Sequence, residues 1–303
     1  MRFFASAFVP LVSLAAQLGN ECVNEGSSSP ETETFLQVFN VFHSSLPDSV
    51  KSYNSSAVRL YAVSEELIQK PIPEHAQHLQ LVKEWTLSRH DAFFQELGFH
   101  ETSAILHVGL NGLHRGSKFI GFSQYDHFLE DLPSESSELP SNAAFFFMYG
   151  SVLVDEPAFP RSFVQRSYRH HFGQALDISG SMAKLGGNFP ACNTWIIPTS
   201  IYEKLWPWWL RVACDLIPWL KQEPYPFRHH RHIAGVMERI MGISILAENL
   251  ELNHGRLKYD ADFRRANIIK AGEKDETPAE IVRKYERRGT CVDAAGVQSL
   301  LRQ

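Results

Sequence analysis

The segment Lys118–Phe128, with the sequence KFIGFSQYDHF, joins a short apolar strand to a carboxylate with polar neighbours. The apolar part is followed at once by Gln124, Tyr125 and Asp126. Mn²⁺ and Mg²⁺ prefer hard oxygen ligands and keep several waters, so one protein carboxylate can be enough to hold such an ion on a diphosphate. We therefore expect Asp126 to bind a divalent cation. An aspartate that only caps the turn after a strand is the alternative interpretation.

The segment Arg231–Ile243 predicts an amphipathic helix with a second face of unusual composition. A glycine inside a helix costs about 1 kcal/mol, so two glycines on one face need a reason. Close approach of a ligand is one reason, and close packing of a neighbouring element is the other. The face that lies opposite the apolar Ile233, Val236, Met237 and Ile240 contains Arg231, Gly235, Glu238 and Gly242.

A row of histidines and basic residues, Arg228–His232, precedes this helix. Imidazoles are frequent zinc ligands, so His229, His230 and His232 together with Asp126 are the candidate ligands of a metal-dependent hydrolase. Adjacent histidines point in different directions, and no HExxH motif is present. Phosphate-contacting loop residues and a solvated surface are the other interpretations of this row.

The pattern of apolar residues predicts strands that alternate with helices, which indicates an α/β fold with a mostly parallel sheet. Ligands of such sheets bind at the carboxyl ends of the strands, so His43, Ser64 and the segment 124–127 are candidate site residues. The predicted strands are Phe35–His43, Val58–Val63, Lys118–Phe122, one or two strands in Ala144–Val154, and Thr194–Pro198; the predicted helices are Glu74–Leu97, Glu101–Leu113, Ser200–Leu220 and His232–Leu250.

The chain has 303 residues and a formal net charge of −5, and it lacks a basic tract of the kind that binds nucleic acid. Residues 1–16 begin with Arg2 and continue as a short apolar run, which predicts a signal peptide or a signal anchor. We expect a polar linker over 17–34, the main domain over 35–260 and a charged helical tail over 261–303. Asn54 opens an N-glycosylation triplet, and the four cysteines have no CxxC spacing.

These segments resemble the bacterial capsular and cell-wall glycosyltransferases that have a Gly-x-x-His-Tyr-Arg-Arg signature after an apolar strand. The resemblance covers roughly Phe35 to Leu257, and its main departure is Gln-Tyr-Asp-His in place of His-Tyr-Arg-Arg. This departure restores an acid at the metal position. The matching segments, in the order of the family, are Val41-Phe42-His43, the helix that starts at Glu101, Ile120–His127, Asn193–Ile197 with Tyr202, and Arg231–Arg239.

The resemblance implies a GT-A-like fold: a Rossmann-like, mostly parallel sheet flanked by helices. It implies transfer of a sugar from a nucleotide-sugar to a glycan or lipid-linked hydroxyl group, with Mn²⁺ or Mg²⁺ at Asp126. Glu238 is the expected base if the enzyme inverts, with Arg231 or Arg239 beside it. The expected donor-binding residues are His43, Ser44, Gln124, Tyr125 and Asn193.

With the signal-like N-terminus, the resemblance points to an enzyme of the ER or Golgi lumen, or to a secreted one. The N-terminus is the expected point of membrane association. A secreted carbohydrate-binding protein without turnover and the metal-dependent hydrolase are the alternatives that the sequence leaves open.

Overall fold

The computed structural model describes residues 34–42, 56–65, 72, 74–130, 132–135, 139–151, 159–222 and 231–259. The strands are β1 (Thr34–Phe42), β2 (Val58–Ala62), β3 (Gln80–Lys83), β4 (Ser117–Gln124), β5 (His127–Leu129), β6 (Ala143–Phe146), β7 (Tyr149–Ser151), β8 (Asn188–Pro190), β9 (Trp195–Pro198), β10 (Glu251–His254) and β11 (Leu257–Tyr259). The α-helices are α1 (Phe93–Glu96), α2 (Glu101–Leu110), α3 (Arg161–Phe172), α4 (Ile178–Ala183), α5 (Thr199–Gln222) and α6 (Arg231–Ala247).

A central sheet of seven strands organises the molecule. Its order is β10-β6-β9-β4-β1-β2-β3, and every strand except β9 runs in the same direction. The strand order reverses between β1 and β4, so the crevice at their carboxyl ends is the switch point where α/β proteins bind ligands. Two small antiparallel sheets, β11-β5 and β7-β8, lie outside the central sheet.

The two faces of the central sheet are covered differently. Helices α2 and α5 contact one face, and α6 packs against both of them. Trp208 and Trp209 of α5 are fully buried in this layer, so these tryptophans pack the core. On the other face, a smaller apolar cluster contains Leu36, Val38 and Leu129, and the last of these belongs to β5. The predicted α/β class with a mostly parallel sheet flanked by helices is confirmed.

The predicted helix Glu74–Leu97 is wrong. That stretch contains a 3-10 turn at Glu74–Ala76, the edge strand β3, a second 3-10 turn at Glu84–Thr86, and the short helix α1. Its apolar side chains have helical spacing, but they do not share one face. Leu79 packs into the smaller cluster, whereas Phe93 packs into the larger one.

The other predicted elements are present with small shifts of their ends. The predicted strand Lys118–Phe122 extends to Gln124, and Ala144–Val154 contains the two strands β6 and β7. The predicted helices Ser200–Leu220 and His232–Leu250 correspond to α5 and α6.

Several predicted features lie outside the described residues. They include His43, Ser44, Asn54, residues 1–16 and the tail 261–303. Among the residues that are described, none of the helices has both the length and the apolar character needed to cross a membrane.

Candidate active site

Two polar side chains fix the end of β4 at the switch point. The Asn40 side-chain amide donates hydrogen bonds to Ser123 Oγ at 2.9 Å and to the Gln124 carbonyl oxygen at 3.0 Å. Val41 and Gln124 are paired in register, so β1 and β4 end side by side. Asn40 therefore holds the start of the Gln124–Asp126 segment against β1.

Sequence reasoning missed Asn40, although a signal was present. Asn40 is fully buried within the apolar run of β1. A buried amide is costly unless it is hydrogen-bonded, so an asparagine at this place needs a partner. Its Oδ1 has no hydrogen-bond partner within the described part of the chain.

An ion-pair contact and two hydrogen bonds connect Asp126 to the turn that precedes β9. His127 Nε2 lies 3.5 Å from Asp126 Oδ1, and His127 Nδ1 lies 2.9 Å from Thr194 Oγ1. The Thr194 hydroxyl donates to the Cys192 carbonyl oxygen at 2.9 Å. The one proton of the Thr194 hydroxyl is engaged in this bond. In the contact between His127 and Thr194, His127 Nδ1 must therefore carry the hydrogen and donate it. The other imidazole nitrogen then faces the Asp126 carboxylate, where either a proton or a cation makes the contact favourable.

Asp126 and His127 bring together two ligand types, a carboxylate and an imidazole, that divalent cations accept. Asp126 is only 3% exposed, and its Oδ1 lies 3.5 Å from His127 Nε2. Across the described ranges, no three His, Cys, Asp or Glu side chains come close enough to hold a metal alone. An ion at Asp126 would therefore depend on waters and ligand phosphates for its remaining coordination.

The two residues before Asp126 differ in their surroundings. Gln124 is half-buried at the end of β4. Tyr125 is buried and belongs to the smaller apolar cluster together with Phe42 and Phe147. The Tyr125 ring therefore packs at the end of β1, where the predicted donor-binding residues His43 and Ser44 follow in the chain.

The turn before β9 has an uncommon backbone conformation. Cys192 and Asn193 have φ angles of 57° and 47°, in the left-handed region. This conformation costs a residue other than glycine about 1–2 kcal/mol. Within the described ranges, one other non-glycine residue has a positive φ angle. It is His100, at 48°, directly before α2. Such strain concentrates at functional sites, where surrounding contacts maintain it.

One of these residues, Cys192, contacts Glu238, and another, His100, directly precedes a residue that interacts with Glu238. The Cys192 backbone hydrogen-bonds to the Glu238 carboxylate, and Glu101, the residue after His100, interacts with it electrostatically. Burial raises the pKa of Glu238, and the negative charge of Glu101 adds to this rise. The hydrogen bond from the Cys192 backbone and the positive charge of Arg239 both lower the pKa of Glu238. Glu238 is nevertheless only half-buried, so solvent still reaches it.

The Arg239 side chain folds back along α6. Its Nη1 donates to the Gly235 carbonyl oxygen at 2.7 Å and lies 3.0 Å from the place of a Cβ on Gly235. Gly235 thus leaves room for the guanidinium group, whose positive charge lowers the pKa of Glu238. Arg231, the other predicted catalytic arginine, begins α6, and the structure describes only its backbone.

The second glycine of this face has a packing role. A Cβ on Gly242 would lie 2.7 Å from the Pro190 carbonyl oxygen and 3.0 Å from the Phe189 ring. Gly242 therefore allows α6 to lie directly on β8. This contact places Glu238, one turn earlier on α6, against the Cys192–Asn193 turn that follows β8.

Asn193 lies at the centre of this arrangement. It is 4% exposed, and its Oδ1 has no hydrogen-bond partner among the residues the structure describes. A buried acceptor without a donor is costly, and a ligand hydroxyl or amide would remove the cost.

Of the sequence-predicted residues, Asn193 lies in one turn to which Glu238 is connected directly and Asp126 through His127. The Cys192–Thr194 segment contacts the His127–Asp126 pair through Thr194 and contacts Glu238 through Cys192. The buried Asp126 carboxylate and a second carboxylate with a raised pKa are therefore connected to the same turn beside the switch point. This arrangement is suited to charge stabilisation on one side and proton removal on the other.

Comparison with known proteins identifies a shared fold. No family model matches the chain, and no curated protein matches it. The apo structure of WbbM, a bifunctional glycosyltransferase, matches with a TM-score of 0.52 and 11% sequence identity. The match covers 75% of this chain but only 46% of the WbbM chain. The predicted GT-A-like, Rossmann-like architecture is therefore that of a solved glycosyltransferase.

Proposed function

We propose that this protein is a glycosyltransferase that moves a sugar from a nucleotide-sugar donor to a hydroxyl group of a glycan or lipid-linked acceptor. The observation that carries the proposal is that Asp126, through His127, and Glu238 are both connected to the Cys192–Thr194 turn, beside the switch point. The fold shared with WbbM supports it.

In the proposed reaction, the acceptor oxygen attacks the anomeric carbon of the donor sugar while the bond from that carbon to the diphosphate breaks. Glu238 takes the acceptor proton, and the electron pair of the broken bond leaves with the nucleoside diphosphate. A base works best when its pKa is near the operating pH, so burial beside Glu101 favours this role. This sequence of bonds describes an inverting enzyme.

Asp126 would hold Mn²⁺ or Mg²⁺, with His127 beside it. When bound, the cation would offset the negative charge that develops on the leaving diphosphate. Arg239 interacts electrostatically with Glu238 and would orient its carboxylate or contact the phosphate, with Arg231 as the second candidate.

The remaining roles follow from place in the fold. His43 and Ser44 come directly after β1 at the switch point and would contact the base or the ribose. Gln124 and Tyr125 would shape the pocket for the sugar and phosphates. Asn193 would accept a hydrogen bond from a sugar hydroxyl, since its buried Oδ1 has no donor within the described ranges.

We also propose that the protein works in the secretory pathway. Cys214 takes part in a disulfide. Disulfides persist in oxidising compartments such as the ER lumen. The signal-like segment 1–16 would bring the chain there and would provide any membrane association.

The proposal is tested by incubating the protein with UDP-, GDP- and CDP-sugars, Mn²⁺ and mixed glycan acceptors, and by measuring the nucleoside diphosphate released. We expect release from at least one donor, and Glu238→Gln should lower kcat by about 10²–10⁴-fold while donor binding persists. Exposed Glu251→Gln is the matched control and should keep full activity. Normal turnover by the Glu238 variant would remove this residue from the mechanism.

A further inference from the structure

A tyrosine and a histidine form a rigid pair at the same edge of the sheet. Tyr149 begins β7, three residues after β6 ends, and His254 ends β10, the parallel neighbour of β6. The residues Phe146 and His254 are paired in register. Both side chains therefore lie at the carboxyl edge, on the opposite side of β9 from the switch point.

The hydrogen bonds of this pair leave one nitrogen for a ligand. The Tyr149 hydroxyl donates to the Phe146 carbonyl oxygen at 3.0 Å, and it also contacts His254 Nδ1. Because that hydroxyl has one proton, His254 Nδ1 must be the donor in the second contact. Nε2 of the neutral imidazole is then an acceptor. Burial raises the pKa of Tyr149 to about 12, so its hydroxyl keeps its proton.

The rings of this pair are open to solvent. Their centroids lie 5.2 Å apart at an angle of 42°, and His254 is exposed. Tyr149 is 37% exposed, and within the described ranges it is the one large apolar side chain in the exposed class. An aromatic face with a hydrogen-bond acceptor at its rim matches the chemistry of a pyranose, which has an apolar C–H face and hydroxyl groups around it.

The pair lies close to the proposed base. Tyr149 of β7 is paired with Pro190 of β8. Two residues after Pro190 comes Cys192, whose backbone contacts Glu238. A strand pair spans about 5 Å and two extended residues about 7 Å, so the pair is on the order of 10 Å from this contact. That distance is about the length of one or two pyranose rings.

We propose that Tyr149 and His254 form an acceptor subsite that binds a pyranose ring of the glycan acceptor. The ring stacks on Tyr149, and one of its hydroxyl groups donates to His254 Nε2. The inference rests on the proposed function for its role in transfer, but sugar binding by the pair can be measured without turnover.

The test is saturation-transfer NMR with the methyl glycosides of glucose, galactose, mannose and N-acetylglucosamine. We expect the full chain to bind at least one of them, and Tyr149→Ala to raise its Kd at least tenfold. Tyr149→Phe keeps the ring but loses the contact with His254, so its affinity should be intermediate. His170→Ala, an exposed histidine on α3, is the control and should bind normally.

Absence of binding by the wild type, or unchanged binding by Tyr149→Ala, would overturn the subsite. Nucleotide binding, followed by thermal shift in the same variants, separates the two proposals. If Tyr149→Ala loses the sugar but still binds nucleotide, the subsite and the proposed function both stand. If sugar binds at the pair and no nucleotide binds to any variant, the subsite stands and the proposed function fails.

Discussion

The surroundings of Glu238, the proposed base, oppose the stability of the fold when its carboxylate is ionised. Burial removes water from around its carboxylate, and the negative charge of Glu101 lies nearby. Both effects raise the pKa of Glu238 above the ordinary value of 4.5. The folded state therefore favours the neutral acid more than the unfolded chain does. The raised pKa of Glu238 therefore comes at the expense of folding free energy in the ionised form.

The sign of this effect predicts a pH-dependent stability difference. A raised folded pKa contributes stability that is complete below the unfolded pKa and is lost as pH rises through the folded pKa. Glu238→Gln stays neutral, so it should melt at a higher temperature than the wild type near pH 7 and at a similar temperature near pH 4. Thermal unfolding between these pH values measures the difference, and exposed Glu251→Gln should show none of it. A variant that is less stable near pH 7 would contradict the account.

At the scale of elements, α6 positions the site through close contacts on both sides. Trp209 Nε1 donates to Ser244 Oγ at 2.9 Å, which fixes α6 to α5. Gly242 lies on the Pro190 carbonyl, which fixes α6 to β8. Glu238 is on the same helix, so its distance from the Cys192–Asn193 turn depends on these contacts.

The two glycines of α6 should respond to alanine with opposite signs. Gly242→Ala places a methyl group 2.7 Å from a backbone oxygen, so we expect a loss of about 1–3 kcal/mol in the free energy of unfolding. Gly235→Ala meets only the end of the Arg239 side chain, which can move, so the better helix propensity should give a gain of up to about 1 kcal/mol. Urea unfolding of both variants measures these changes. Equal effects of the two substitutions would show that Gly242 has no special packing role.

The element pattern was predictable where an element is long or buried on both faces. The run in β1 and the apolar spacing in α6 identify a strand and a helix, and both are present. The stretch Glu74–Leu97 was not predictable, because β3 is a four-residue edge strand that is only half-buried. Its apolar residues reach two different clusters through short turns, which helical spacing cannot distinguish from one helix.

Only part of the candidate site was predictable, because a sequence shows the chemistry of a residue but not its distant partners. Asp126 and Glu238 are carboxylates that can be read directly from the sequence. Their positions at a predicted strand end and on a predicted helix face identified them as candidates. The roles of Asn40 and Thr194 depend on partners that are distant in the chain, Gln124 and His127, and only the fold brings them together. The left-handed turn at Cys192 and Asn193 has no glycine to signal it.

At the scale of the whole molecule, the account places every proposed contact at one edge of the sheet. The nucleotide would lie at the β1–β4 switch point, the base beyond it on α6, and the acceptor sugar at the ends of β6 and β10. The central claim is that a nucleotide binds at this edge with a cation on Asp126.

The most direct test is the thermal shift of the folded protein with UDP, GDP and CDP, each with and without Mn²⁺. A nucleotide at 100 times its Kd should stabilise the fold by about 2.7 kcal/mol, a rise in Tm of about 5–10 °C, and only with the cation. Asp126→Asn should abolish the shift without unfolding the protein, whereas Asp215→Asn, on α5, should keep it. If none of the three nucleotides shifts the Tm, or if Asp126→Asn responds like the wild type, the account is contradicted.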